Sequence, residues 1–276
     1  MASDELRRLA QRADHIEALA FSDLYAALPA MLQPRLQLQV RRQGGATLLL
    51  APGLPSSMFN RVIGLGLQCP AEAADLDALV AAYTRHGGSP WWLHWSPVAA
   101  PADFTQLLHD RGFTSPSRRS WAKVARGAMP PPQISTDLQI VPATTETLAE
   151  TTAAITQAFG MPPFMPAWLS ALQGRPRWQV YSVLDAGRPV GGGCLFIDGD
   201  AAWLGMGAVL ESHRRRGGQG ALMARRIADA QAAGCSHSFT ETGEPVGDEP
   251  NPSLANMLRC GFVSVASRLN FEAPRT

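Results

Sequence analysis

Ala208-Val209-Leu210-Glu211-Ser212-His213-Arg214-Arg215-Arg216-Gly217-Gly218-Gln219-Gly220-Ala221-Leu222-Met223 runs an apolar strand into an Arg/Gly-rich turn that opens a helix. A helix N-terminus leaves backbone N–H groups without acceptors, carries the positive end of the helix dipole, and is flanked here by guanidinium groups. All three favour an anion, so the segment reads as a phosphate-binding loop. A short run of arginines more commonly marks a solvated face, but the position directly after a strand and before Gly217-Gly218 favours phosphate capture. Three glycines in one helical turn cost about 1 kcal/mol each relative to alanine, which argues for close approach to the backbone. The nucleotide loops with a fixed spelling do not fit. A Walker loop needs Lys and Ser or Thr after its last glycine, where Ala221 stands. A dinucleotide turn needs three glycines, of which Gly205-Met206-Gly207-Ala208-Val209-Leu210 has two.

The segment resembles motif A of the GNAT family, the acetyl-CoA-dependent N-acetyltransferases, written V-x-P-x-x-R-G-x-G-x-G/A-x-x-L. With Val209 on the family valine, Arg214, Gly217, Gln219 and Leu222 fall on the arginine, second glycine, last glycine/alanine and leucine. Glu211 and Arg215 replace the family proline and first glycine. A register one place on restores Gly220 and displaces the strand-end valine; both implicate the same loop. Downstream, Asn251-Pro252-Ser253-Leu254-Ala255-Asn256-Met257-Leu258-Arg259-Cys260-Gly261-Phe262 is similar to the family's motif B helix, with Met257 where a tyrosine usually protonates the departing thiolate. The resemblance covers Leu138 to Phe271. It implies a mixed sheet splayed where acetyl-CoA enters, with Val209, Leu210, Arg214, Arg215, Arg216, Gly217, Gly218, Gln219, Gly220 and Asn251 at the cofactor. Asn251 before Pro252 also reads as a helix cap. Glu241, ending a strand at the position that faces the acceptor in this layout, is the candidate general base, with a pKa raised by burial or a bridging water.

At 276 residues with 46% hydrophobic content, the chain has material for two domains. A formal net charge of +1 demands neither nucleic acid nor an anionic membrane as partner. Cys69, Cys194, Cys235 and Cys260 form no CxxC, so buried reduced thiols and no metal are expected. The N-terminus places Leu6, Leu9, Ala13 and Ile16 at helical spacing, with no leader-like apolar run and no stretch of the ~20 residues needed to cross a bilayer. A cytoplasmic protein is expected.

The prolines of Arg126-Gly127-Ala128-Met129-Pro130-Pro131-Pro132-Gln133 mark a linker. The expected layout is α/β with a mixed α+β sheet: two GNAT-like domains in tandem, 1–127 degenerate, 128–137 as linker, and 138–276 binding acetyl-CoA. In the second half strands are expected at 138–141, 178–184, 190–197, 201–209, 236–241 and 262–271, and helices at 145–158, 165–172, 217–233 and 251–259. Upstream, the strand Phe59–Leu67, a helix from Asp75 to Arg85, the strand Trp91–Trp95 and the Gly-Phe ending at Gly112-Phe113 repeat this order weakly. Convergent α/β patterning is the alternative. The turn Gln68-Cys69-Pro70-Ala71-Glu72-Ala73 has neither glycine nor arginine, so the first copy is expected not to bind acetyl-CoA.

Two functions follow. One is an N-acetyltransferase moving acetyl from acetyl-CoA directly to a primary amine of a small molecule or peptide. The other is an acyl-CoA-binding regulatory pseudoenzyme, suggested by Met257. Tyr181 and Cys260 are conceivable substitutes for the acid, and Trp178, Trp203, Phe159 and Phe164 for acceptor lining; core packing is the plainer role for each.

Overall fold

The computed structural model describes residues 3–274 apart from 88, 118, 246 and 248. The chain runs through α1 (Ser3–Ala26), a 3-10 turn, α2 (Gln33–Leu36), β1 (Gln39–Gln43), β2 (Ala46–Leu50), β3 (Arg61–Ile63), α3 (Ala73–Arg85), β4 (Trp92–Trp95) and α4 (Phe104–Asp110). It continues through β5 (Ser120–Gly127), β6 (Gln139–Pro142), α5 (Thr145–Ala158), α6 (Met165–Ser170), β7 (Trp178–Asp185), β8 (Arg188–Asp198) and β9 (Ala201–Val209). A 3-10 turn then leads to α7 (Gly218–Ala232), β10 (His237–Gly243), α8 (Pro252–Arg259) and β11 (Val263–Glu272). Two compact units result: Met1–Lys123 with Glu241–Asn251 and Ser264–Thr276, and Val124–Thr240 with Pro252–Val263. The residues 128–137 fall in the second. Every element expected in the second half is present, most of them shifted by one to three residues. In the first half the strand 59–67 is only Arg61–Ile63, because Gly64 and Gly66 turn the chain with positive φ.

In the first unit the strand order is β1-β2-β3-β4-β11, antiparallel except for the parallel pair β3/β4. The β1–β2 hairpin was not expected. It closes on Gly44-Gly45, both with positive φ, as a two-residue primed turn requires. Leu48, Leu50, Val62, Leu76, Leu79, Leu93, Leu108 and Phe113 form the core, with Tyr83 stacked on Trp91 at 4.2 Å. A second interior zone is ionic. Glu17 lies in the apolar stripe of α1, fully buried, and its carboxylate takes Lys123 Nζ at 2.8 Å, Arg268 Nη1, and Arg61 Nη2 at 3.4 Å. Lys123 also reaches Glu241 at 2.8 Å, and Arg268 reaches Asp14. Three carboxylates therefore face three cations. Burial alone would raise the Glu17 pKa, but the fields of Arg268, Lys123 and Arg61 outweigh it and hold the carboxyl well below 4.5. His94, also buried, bonds Asn270 Oδ1 through Nδ1 at 2.7 Å; burial, reinforced by Arg268 and Arg61, holds its pKa well below 6.5.

In the second unit the order is β10-β9-β8-β7-β6, with β10 parallel to β9 and the rest antiparallel. The β8/β9 register shifts between Gly192 and Cys194, and Met206 takes φ +54. This is a bulge, one extra residue that bends the strand and increases its twist. Beneath it lies buried Arg226 of α7, with no carboxylate partner among the described residues and its Nη1 donating to the carbonyls of Cys194 (3.1 Å) and Gly205 (3.0 Å). Desolvation pushes its pKa down to about 10. Gly193 and Gly207 make room: a Cβ on Gly207 would stand 2.8 Å from Arg226 Nη2. Cys194, Cys235 and Cys260 are buried, whereas Cys69 is exposed, contrary to expectation, because it sits in the turn that follows β3.

Breaking a buried ion pair from one side leaves a charge uncompensated and costs about 3–5 kcal/mol. Lys123→Met should therefore lower urea-unfolding stability by about that amount. The pH dependence has a defined sign. The unfolded chain takes up protons on His94 and then Glu17 that the folded chain refuses, so stability should fall as pH drops below 6.5 and again below 4.5. A melting temperature flat from pH 7 to 4 would contradict this.

Candidate functional site

Strand β9 ends at Val209, paired with Gly191, and the N–H of Leu210 is committed to the Val190 carbonyl at 2.9 Å. The chain then turns through Glu211–His213, takes φ +64 at Arg215 and φ +77 at Gly217, and enters α7. The N–H groups of Arg215, Arg216, Gly217, Gly218, Gln219 and Gly220 meet no acceptor among the described residues. Six consecutive donors at a helix N-terminus lie beside the exposed side chains of Arg214 and Arg215, an arrangement whose chemistry suits an anion.

The loop is fastened from behind. Arg216 donates to both Asp137 and Asp185, the Nη1–Asp185 Oδ2 contact being 2.8 Å, and these bonds hold both carboxyls below their ordinary pKa. Thr136 Oγ1 donates to the Arg216 carbonyl at 2.6 Å. A Cβ on Gly217 would lie 2.3 Å from the Ser135 carbonyl, and one on Gly218 would lie 2.7 Å from Leu138 Cδ1. The glycines thus admit the neighbouring segment 134–138. Arg216, read from sequence as a cofactor ligand, has its guanidinium engaged by carboxylates. Gln219 Oε1 accepts from Asn256 Nδ2 at 2.9 Å, which ties the loop to α8.

In α8, Met257 is buried. Tyr181 donates its hydroxyl to Asp229 at 2.7 Å, and burial with that carboxylate raises its pKa. Burial likewise raises the Cys260 thiol. Trp178 is packed against both Phe196 and Trp203, while Phe159 is exposed. In the first unit, Glu241 is paired with Lys123, and Asn251 donates its amide to the Gly243 carbonyl and to Thr242 Oγ1 at 3.4 Å. Sequence reasoning missed Arg226 and the clamp residues Asp137 and Asp185. The Gly-Met-Gly interruption in an apolar strand was the available signal for the first.

A charge-assisted bond to phosphate contributes about 1.5–3 kcal/mol. The double variant Arg214→Ala/Arg215→Gly should therefore weaken CoA binding at least about tenfold in a calorimetric titration while leaving the melting temperature unchanged or higher, since glycine relieves the positive φ at 215. Arg216→Ala should lower the melting temperature. Unchanged CoA affinity in the double variant would remove the loop from the cofactor site.

Residues 146–262 match the family described as the acetyltransferase (GNAT) family. No curated protein matches the chain in sequence. Among solved structures, a GCN5-related N-acetyltransferase from Kribbella flavida superposes with TM-score 0.64 at 17% identity, over 92% of this chain and 95% of that one. A GCN5-related N-acetyltransferase from Sphaerobacter thermophilus gives 0.61 at 16%, over 89% and 86%. A tandem GNAT protein from the clavulanic acid biosynthesis pathway gives 0.61 at 14%, over 85% and 81%. At these identities the likeness concerns fold, and it extends over both halves of the chain. The strand, amide-rich turn and helix at 201–232 lie inside the matched segment, and residues 146–262 are a domain of the acetyltransferase (GNAT) family.

Proposed function

We propose that this protein transfers an acetyl group from acetyl-CoA to a primary amine of a small molecule or peptide, directly and without a covalent enzyme intermediate. The observation that carries the proposal is the row of six unpartnered N–H groups at the start of α7, flanked by Arg214 and Arg215. Acetyl-CoA is the substrate such a loop would hold, by its pyrophosphate, and holding it supplies most of the catalysis as positioning. In the chemical step the amine nitrogen bonds to the thioester carbonyl carbon, the C–S bond breaks with its electron pair on sulfur, and the ammonium proton leaves to a base. A strand amide near Val209 is the proposed oxyanion donor.

No acid is required at sulfur. A thiol pKa of about 8.5 lets the thiolate depart and take its proton from water. Buried Met257 offers none, and Tyr181 and Cys260 are both shifted upward. For the base, Glu241 is the candidate, with its carboxylate paired to Lys123 at 2.8 Å. Residues 1–127 are proposed to be a degenerate copy without acetyl-CoA, 128–137 a linker, and 138–276 the acetyl-CoA domain. The proposal describes a cytoplasmic enzyme without metal, nucleic-acid or membrane partners; no helix among the described residues is long and apolar enough to cross a membrane.

Thiol release from acetyl-CoA across a panel of primary amines tests the activity. Binding of one CoA per chain without amine-dependent thiol would support the regulatory reading instead. Tyr181→Phe and Cys260→Ala should each keep most of kcat, and a collapse in either, with CoA binding preserved, would reveal a side-chain acid. Glu241→Gln should lower the amine-dependent rate about a hundredfold if the carboxylate is the base; an unchanged rate assigns the proton to water.

A further inference from the structure

The first unit contains a cavity of about 430 Å³ between the N-terminal half of α1, the β1–β2 turn and the end of β3. This is within the size range of small-molecule sites. Its lining is divided by chemistry. Arg8, Arg42 and His15 are exposed at the rim, with Arg12 half-buried beside them. Asp14 and Thr47 are buried at the floor. Thr47 is fully buried, yet its Oγ1 has no hydrogen-bond partner among the described residues. A buried hydroxyl without a partner is disfavoured and calls for one. Asp14 takes Arg268 on Oδ1, and as a carboxylate it has further lone pairs to offer.

We propose that this cavity binds a phosphorylated, hydroxyl-bearing small molecule of the sugar-phosphate class. Guanidinium groups match phosphate oxygens in planar, bidentate geometry, and three of them at one rim select a dianion over a lone carboxylate. A ligand hydroxyl at the floor accepts from Thr47 Oγ1 and donates to the Asp14 carboxylate, which completes both groups. The site is separate from the 214–220 loop, and its assignment does not depend on the acetyltransferase reading.

The test is calorimetric titration of the full chain with ribose 5-phosphate and with inorganic phosphate. Ribose 5-phosphate should bind about tenfold or more tightly than phosphate, the difference one hydroxyl network can supply. Arg8→Ala/Arg42→Ala should weaken both ligands about tenfold or more. Thr47→Val, isosteric at a hydroxyl with no partner, should fold normally and bring ribose 5-phosphate down to the affinity of phosphate. Arg214→Ala/Arg215→Gly, in the other loop, should leave ribose 5-phosphate binding unchanged. Three results would overturn the proposal: no saturable binding of either probe at millimolar concentration, binding lost in the 214/215 variant but kept in the 8/42 variant, or Thr47→Val without effect.

Discussion

The geometry of the second unit depends on one constraint, the close seating of segment 134–138 against the loop that opens α7. Where the carbonyl of Ser135 lies 2.3 Å from the point a Cβ on Gly217 would occupy, no other residue type fits without moving the segment. Arg216, gripped by Asp137 and Asp185, and Thr136, bonded to the Arg216 carbonyl, hold the loop from the same side. Because this clamp is made by side chains and carbonyls, it consumes none of the loop's N–H groups. The donors are immobilised and left without acceptors, which is the arrangement that lowers the reorganisation needed to bind an anion.

The same constraint explains what the sequence could and could not disclose. The loop was legible because helix-start glycines following an apolar strand are rare unless something approaches the backbone. What approaches was only half legible: the glycines serve the packing of 134–138 as well as any ligand, and an arginine destined for two carboxylates 31 and 79 residues away reads the same as one destined for phosphate. The strands and helices of the second half follow plain periodicity and were readable nearly to their ends. Strand β5 was not. Lys123 and Arg126 lie among five consecutive buried positions, and charges in a buried strand make sense only beside Glu17 and Glu241 in one case and the Cys260 carbonyl in the other. The edge strand β1, exposed along four of its five residues, carries no alternation to find. Arg226 left only the Gly-Met-Gly interruption of β9 as a trace in the sequence, because its room is made by Gly193 and Gly207 on two different strands.

In the first unit the ionic interior poses a different physical question. An interior of leucines would satisfy folding at lower desolvation cost, and well-packed apolar replacements of buried ion networks are often neutral or stabilising. Here Asp14, Glu17 and Glu241 balance Arg61, Lys123 and Arg268, yet Nε of both arginines has no hydrogen-bond partner among the described residues. Coulombic balance has been achieved without complete hydrogen bonding. The members of this interior are held by direct contacts, with Lys123 Nζ 2.8 Å from both Glu17 and Glu241. Asp14 shows the consequence: it belongs to the network through Arg268 and to the α1 cavity through its position at the floor. The carboxylate offered there is fixed in place before any ligand arrives, because its Arg268 partner comes from the unit's own interior.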